Sequence, residues 1–175
     1  MSDKDELSAD GKAKLAEAYL RASLTLVDSF KTHDLCYFGP VLQTVGLANE
    51  LVLKAVLAFS GCNNAECKRF GHNLTALYDA AKLHFNEDEL VKLVWDNTRD
   101  LGTPSEIVKR SQDVDEETIS LRWRYYPAQL ALLNEMYDRP FITRYPKAGA
   151  FSVPEARVLL IGADAVRHVY DGWRA

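Results

Sequence analysis

A chain of 175 residues with 47% hydrophobic and 26% charged residues is the size of one domain and can bury a real core, which excludes wholesale disorder. Its formal charge of −4 excludes a uniformly basic, nucleic-acid-coating surface. The charge is uneven, because from Ser120 onward eight Lys and Arg face five acids, leaving +3 there and −7 before it, so a local basic face is allowed.

The first predicted helix carries Leu15, Tyr19, Ala22, Leu26 and Phe30 in one apolar stripe, with Ser8 or Asp10 as its cap. The loop KTHDLCYFGP follows, and Pro40 suits the first turn of a second helix, where its missing N–H has no partner to lose. Val41, Val45, Ala48, Val52, Ala55 and Phe59 line one face of that helix. Leu42, Leu47, Leu51, Leu53 and Leu57 cover most of the rest, which predicts a central helix touched on several sides and ended by Gly61.

SGCNNAECKRFG reads as a loop. Leu74, Leu77, Tyr78 and Ala81 then give a short third helix with His72 or Asn73 at its cap. NEDE predicts a capping box of Asn86 with Glu89, followed by Leu90, Val91, Val94 and Trp95 and closed by LGTP. Residues 105–126 are ambiguous, with some strand character in EETISLRW. AQLALLNEMYD is helical through Leu130, Leu133, Met136 and Tyr137. After the turn-rich RPFITRYPKAGAFSVP, Pro154 opens a last helix through Tyr170, striped by Val158, Ile161, Ala165, Val166 and Val169. The expected fold is all-α, an antiparallel bundle of five or more helices forming a single domain over 1–175, with its core at about 10–170.

Cys36, Cys62 and Cys67 are too few for a disulfide scaffold and point to reduced thiols. MSDKDELSAD is acidic and polar, unlike a leader, and the longest apolar stretch is interrupted by Asn49, Glu50 and Lys54. A cytoplasmic protein without a membrane segment is expected.

Three stretches carry a resemblance. LANELVLKAVLAFSG at 47–61, GHNLTALYDAA at 71–81 and LLNEMYDRPFITRYP at 132–146 together resemble the HEPN family of bacterial and archaeal helical proteins. The first is similar to that family's second helix, with a Glu and a Lys four apart in an apolar run. The second is similar to its Gly-His-polar-Leu helix start. The third is similar to the Leu-Asn…Tyr…Arg-Tyr-Pro segment of small single-domain members. The resemblance implies a helical bundle, a homodimer, and a link to nucleotides, RNA or a partner protein of a toxin–antitoxin or defence system. The family's RNA-cleaving members use an Arg followed after four to six residues by a His. None of His33, His72, His84 and His168 has such an Arg upstream, so a non-catalytic binding or interaction module is expected.

Two alternatives stand beside it. One is an atypical ribonuclease or nucleotide-transferring enzyme using His72 and Arg144; the other is a structural dimerisation domain. The candidate ligand-binding residues are Lys54, Arg69, His72, Arg144 and Tyr145. His72 has an imidazole suited to acid–base work or to a helix entry beside Gly71. Glu50 and Lys54, spaced i, i+4, make either a fold-specifying polar contact or part of a ligand site. Arg144-Tyr145-Pro146 and RWRYYP at 122–127 alternate cations with aromatics, which can stack bases and hold phosphate or simply pin loops. Cys62, Cys67 and His72 are evenly spaced zinc-ligand types without a clear fourth, so ordinary thiols are expected. No metal or cofactor is implied.

Overall fold

The computed structural model describes residues 7–29, 35–101, 123–138 and 153–174, with side chains in the second stretch from Gly39 onward. Among these residues seven helices follow in chain order: α1 (Ala9–Ser29), α2 (Leu35–Phe59), α3 (Asn64–Arg69), α4 (Leu74–Ala81), α5 (Glu87–Asn97), α6 (Tyr126–Tyr137) and α7 (Ala156–Arg174). A 3₁₀ turn, Lys82–His84, sits between α4 and α5. Among the described residues there is no strand, and the fold is an all-α helical bundle. Most of 105–126 and of the long connection after Tyr137 lies outside the described residues.

α2 is the central helix, packed against α1, α3, α4, α6 and α7. Val45, Ala48, Val52, Leu53, Ala55 and Val56 are all fully buried, so its wide apolar surface is consumed by neighbours. Gly39–Phe59 is long and apolar enough by length and composition to cross a bilayer, and 67% of its most apolar stretch is buried inside the bundle. The polar interruptions at Asn49, Glu50 and Lys54 therefore do not remove its apolar character; they place polar groups inside the fold.

Three details differ from the sequence reading. α1 buries Ala13, Ala16, Leu20 and Ser23, while Leu15 and Ala22 face outward. Ala13, Ala16 and Ser23 give this inward face small side chains on three of its turns, which lets α1 lie close along α2, its most extensive partner. Ser8 does cap α1, accepting from Gly11 N–H at 3.1 Å. α2 starts at Leu35, so Pro40 stands inside the helix and not in its first turn. There it forfeits one backbone bond, which the burial on the following turns outweighs. Finally, SGCNNAECKRFG contains a helix, α3, started by a capping box in which Asn63 accepts from Glu66 N–H and Glu66 accepts from Asn63 N–H.

Two glycines let aromatic rings reach the centre. A Cβ on Gly46 would collide with the Tyr137 ring, and a Cβ on Gly162 with the Tyr126 ring. Both rings are fully buried, and each hydroxyl ends on α2: Tyr126 donates to Asn49 Oδ1 at 2.8 Å and Tyr137 to Glu50 Oε2 at 2.7 Å. Asn49 completes its set by donating to Val45 O and, at 3.4 Å, to Leu159 O on α7. Asn49 and Glu50 of α2 are thus each held by a tyrosine from α6.

Candidate functional site

Glu50 is the hub of a polar cluster where α2, α6 and the α3–α4 connection meet. Its Oε1 accepts from Lys54 Nζ at 2.6 Å, one turn further along α2. Its Oε2 lies 2.9 Å from His72 Nδ1 and also accepts from the Tyr137 hydroxyl. An ionised carboxylate can only accept, so Nδ1 carries the proton in this contact. The side chain of Glu50 is 8% exposed, that of Lys54 15% and that of His72 41%, so the cluster runs from the core to the surface. Burial pushes the Glu50 carboxyl up, but the bonds from His72, Lys54 and Tyr137 outweigh it and hold the group below its ordinary value.

Local structure places these side chains. Gly71, with φ +57, takes the left-handed turn that glycine tolerates, and its carbonyl accepts from Lys54 Nζ at 2.8 Å. Asn73 is the N-cap of α4, accepting from Ala76 N–H at 2.9 Å. His72 therefore stands one residue before the cap, turned toward Glu50 and edge-on to the Tyr137 ring, with ring centres 6.0 Å apart. Asn134 of α6 accepts from Leu74 N–H at 2.7 Å, which fixes α6 on the start of α4.

Of the residues expected from sequence, Lys54 and His72 come together, and Glu50 joins them. Arg69 is exposed on the last turn of α3 and takes no part in the cluster's bonds described above. Arg144 and Tyr145 lie outside the described residues. Tyr137 and Asn134 were read only as core and family pattern; their spacing in Leu-Asn…Tyr, one turn apart on α6, is the signal for their role. The zinc-like trio separates, with Cys62 and Cys67 in mutual contact and His72 on Glu50. Among the described residues no group of three or more His, Cys, Asp or Glu is placed to hold a metal ion.

RWRYYP is also spent internally where it is described. Arg124 lies over the Trp95 ring, 3.5 Å from its centre, and Tyr126 is buried; only Tyr125 presents an open ring. A groove of about 900 Å³ runs between α1, α5 and α7, lined by Leu24, Leu93 and Ile161 together with Arg21, Asp28 and Arg157. None of the cluster's residues lines it. Comparison with protein-family models, curated proteins and solved structures finds no match to this chain.

Chemically, a carboxylate held by three donors is a weak base, and the cluster offers no thiol or aliphatic hydroxyl as nucleophile. Its donors are mostly consumed by the fold. What reaches the surface is an imidazole with a fixed orientation and a partly covered ammonium.

Proposed function

We propose that this chain is a HEPN-like, non-catalytic binding module that works as a homodimer in the cytoplasm and takes a nucleotide or RNA ligand, in the manner of the inactive member of a toxin–antitoxin or defence pair. One observation carries the reading. The three stretches that resemble the family meet at one place: Glu50 and Lys54 from the first, Gly71, His72 and Leu74 from the second, Asn134 and Tyr137 from the third. Residues that share a resemblance and also share a contact network are those expected to define a common fold. The absent Arg…His pair and the saturated Glu50 carboxylate favour binding over cleavage.

A second reading has its own observation. A carboxylate at 2.9 Å from Nδ1 is the arrangement that orients a catalytic imidazole, which keeps an atypical ribonuclease as the competing assignment. Incubation of the purified chain and of His72→Ala with mixed RNA separates the two, with anisotropy of a labelled oligoribonucleotide as the binding readout. Binding without cleavage, unchanged by His72→Ala, is the expected result. Cleavage that disappears in His72→Ala at an unchanged melting temperature would establish the enzyme instead. Sedimentation at micromolar concentration tests the dimer, and a clean monomer counts against it.

A further inference from the structure

Cys62 belongs to two motifs at once. It is the third residue beyond the end of α2, where its N–H donates to Leu57 O at 2.9 Å and Gly61 N–H donates to Ala58 O at 3.3 Å. With Gly61 at φ +98, this is the Schellman arrangement that closes a helix. Cys62 is also the residue before the Asn63 cap of α3, and Cys67 is the fourth residue of that helix. Those two positions commonly carry an apolar contact that sets the angle at which a chain enters a helix. Here the contact is made by two sulfurs, with Cys67 Sγ 3.2 Å from Cys62 Sγ.

The two thiols differ in access. Cys67 is buried, whereas Cys62 is half-buried and lines a surface pocket of about 540 Å³ together with Lys12, Asn63 and Asn64. A small molecule can therefore reach Cys62, and Cys67 lies directly behind it. Lys12 adds a positive charge to the same wall.

We propose that Cys62 and Cys67 form a reversible dithiol–disulfide site, closed by a small anionic disulfide of the glutathione class that reacts in the pocket beside Lys12. The Cys62 thiolate, its proton lost to solvent, attacks one sulfur of the oxidant; that S–S bond breaks and one small thiolate leaves. The Cys67 thiolate then attacks Sγ of Cys62 in the mixed disulfide, and the second small thiolate leaves. The protein's two thiols are oxidised to one disulfide, the oxidant is reduced to two thiols, and the two protons released by the cysteines end on them. The sulfurs have to approach from 3.2 Å to the bonded distance of about 2.05 Å. Burial first, and then Cys67 and Glu66, push the Cys62 thiol up to about 12. Thiolate is therefore scarce at neutral pH, and closure is slow.

The test uses the wild-type full chain with oxidised glutathione, quenched by alkylation and digested with trypsin. Residues 55–68 emerge as one peptide carrying both cysteines, and residues 32–54 report Cys36 separately. The expected result is a 55–68 peptide that loses both alkylation sites, retains no glutathione and recovers both sites in dithiothreitol. Its rate of closure should rise about tenfold per pH unit through the neutral and mildly alkaline range. Cys62→Ser should leave Cys67 unmodified over the same time. A 55–68 peptide that keeps glutathione on Cys62, or both thiols still free after equilibration with oxidised glutathione, overturns the proposal. So does a lower melting temperature on closure, because the thiols would then meet only in a disrupted chain.

Discussion

Replacing Glu50 by Ala, alone and together with Tyr137→Phe, tests the hub directly. The single change removes the Glu50 acceptor of the buried Tyr137 hydroxyl and strips Lys54 of this counter-ion. Removing one member of a buried ion pair costs about 3–5 kcal/mol. The lower half of that range applies, because Lys54 is 15% exposed, His72 is 41% exposed, and Lys54 keeps its bond to the Gly71 carbonyl. A loss of about 3–4 kcal/mol is a large share of a typical domain's total stability. At roughly 2–4 °C per kcal/mol for a chain of this size, the melting temperature should fall by about 6–16 °C. Tyr137→Phe alone removes a hydrogen bond to a charged group and should cost about 1.5–3 kcal/mol. The double variant should lose less than the sum, by about 0.5–3 kcal/mol, since both changes remove the same Tyr137–Glu50 bond. Urea and thermal unfolding followed by circular dichroism provide the measurement. A Glu50→Ala chain within about 1 kcal/mol of the wild type, or strictly additive effects in the double variant, would refute the idea that these groups form one buried unit.

The same carboxylate governs acid sensitivity. Because Glu50 is held below the ordinary value of about 4.3, its contribution is complete above that pH and is lost as pH falls through 4.3 toward the folded value. Urea midpoints measured across this window should fall more steeply for the wild type than for Glu50→Ala. Gly46→Ala should destabilise by about 1–3 kcal/mol or more despite alanine's better helix propensity, since its Cβ meets the Tyr137 ring; in a Tyr137→Leu background, where the ring is gone, the same Gly46→Ala change should cost less, read from unfolding midpoints. His72→Ala should cost no more than about 0.5–2 kcal/mol, because Asn73 caps α4 independently; a larger loss in denaturant titration would make the imidazole a structural keystone.

The helical class was legible because apolar spacing repeats over several turns, as in Val45, Ala48, Val52 and Ala55 of α2. Positions at which a contact depends on side-chain size were not. Leu15 fits a stripe by spacing, yet α1 turns Ala13 and Ala16 inward because close approach to α2 favours small groups there. The α3 capping box was present in Asn63 and Glu66, but a six-residue helix leaves no periodicity to accompany it. In the site, Glu50 and Lys54 could be paired from their spacing alone. Their union with His72 and Tyr137 spans 22 and 87 residues of sequence, respectively, and only the packing of α4 and α6 on α2 brings it about.

The glycine–tyrosine notches also shape the order in which this sequence can change. At Gly46 and Gly162 almost any side chain is blocked while the facing ring remains, and a ring reduced first leaves a polar residue of α2 without its hydroxyl. Neither partner can be exchanged first without loss, so each notch forms a valley that single substitutions must cross. Descendants of this chain should therefore keep glycine and tyrosine together or replace them together, with Asn49 or Glu50 turning apolar in the same lineage.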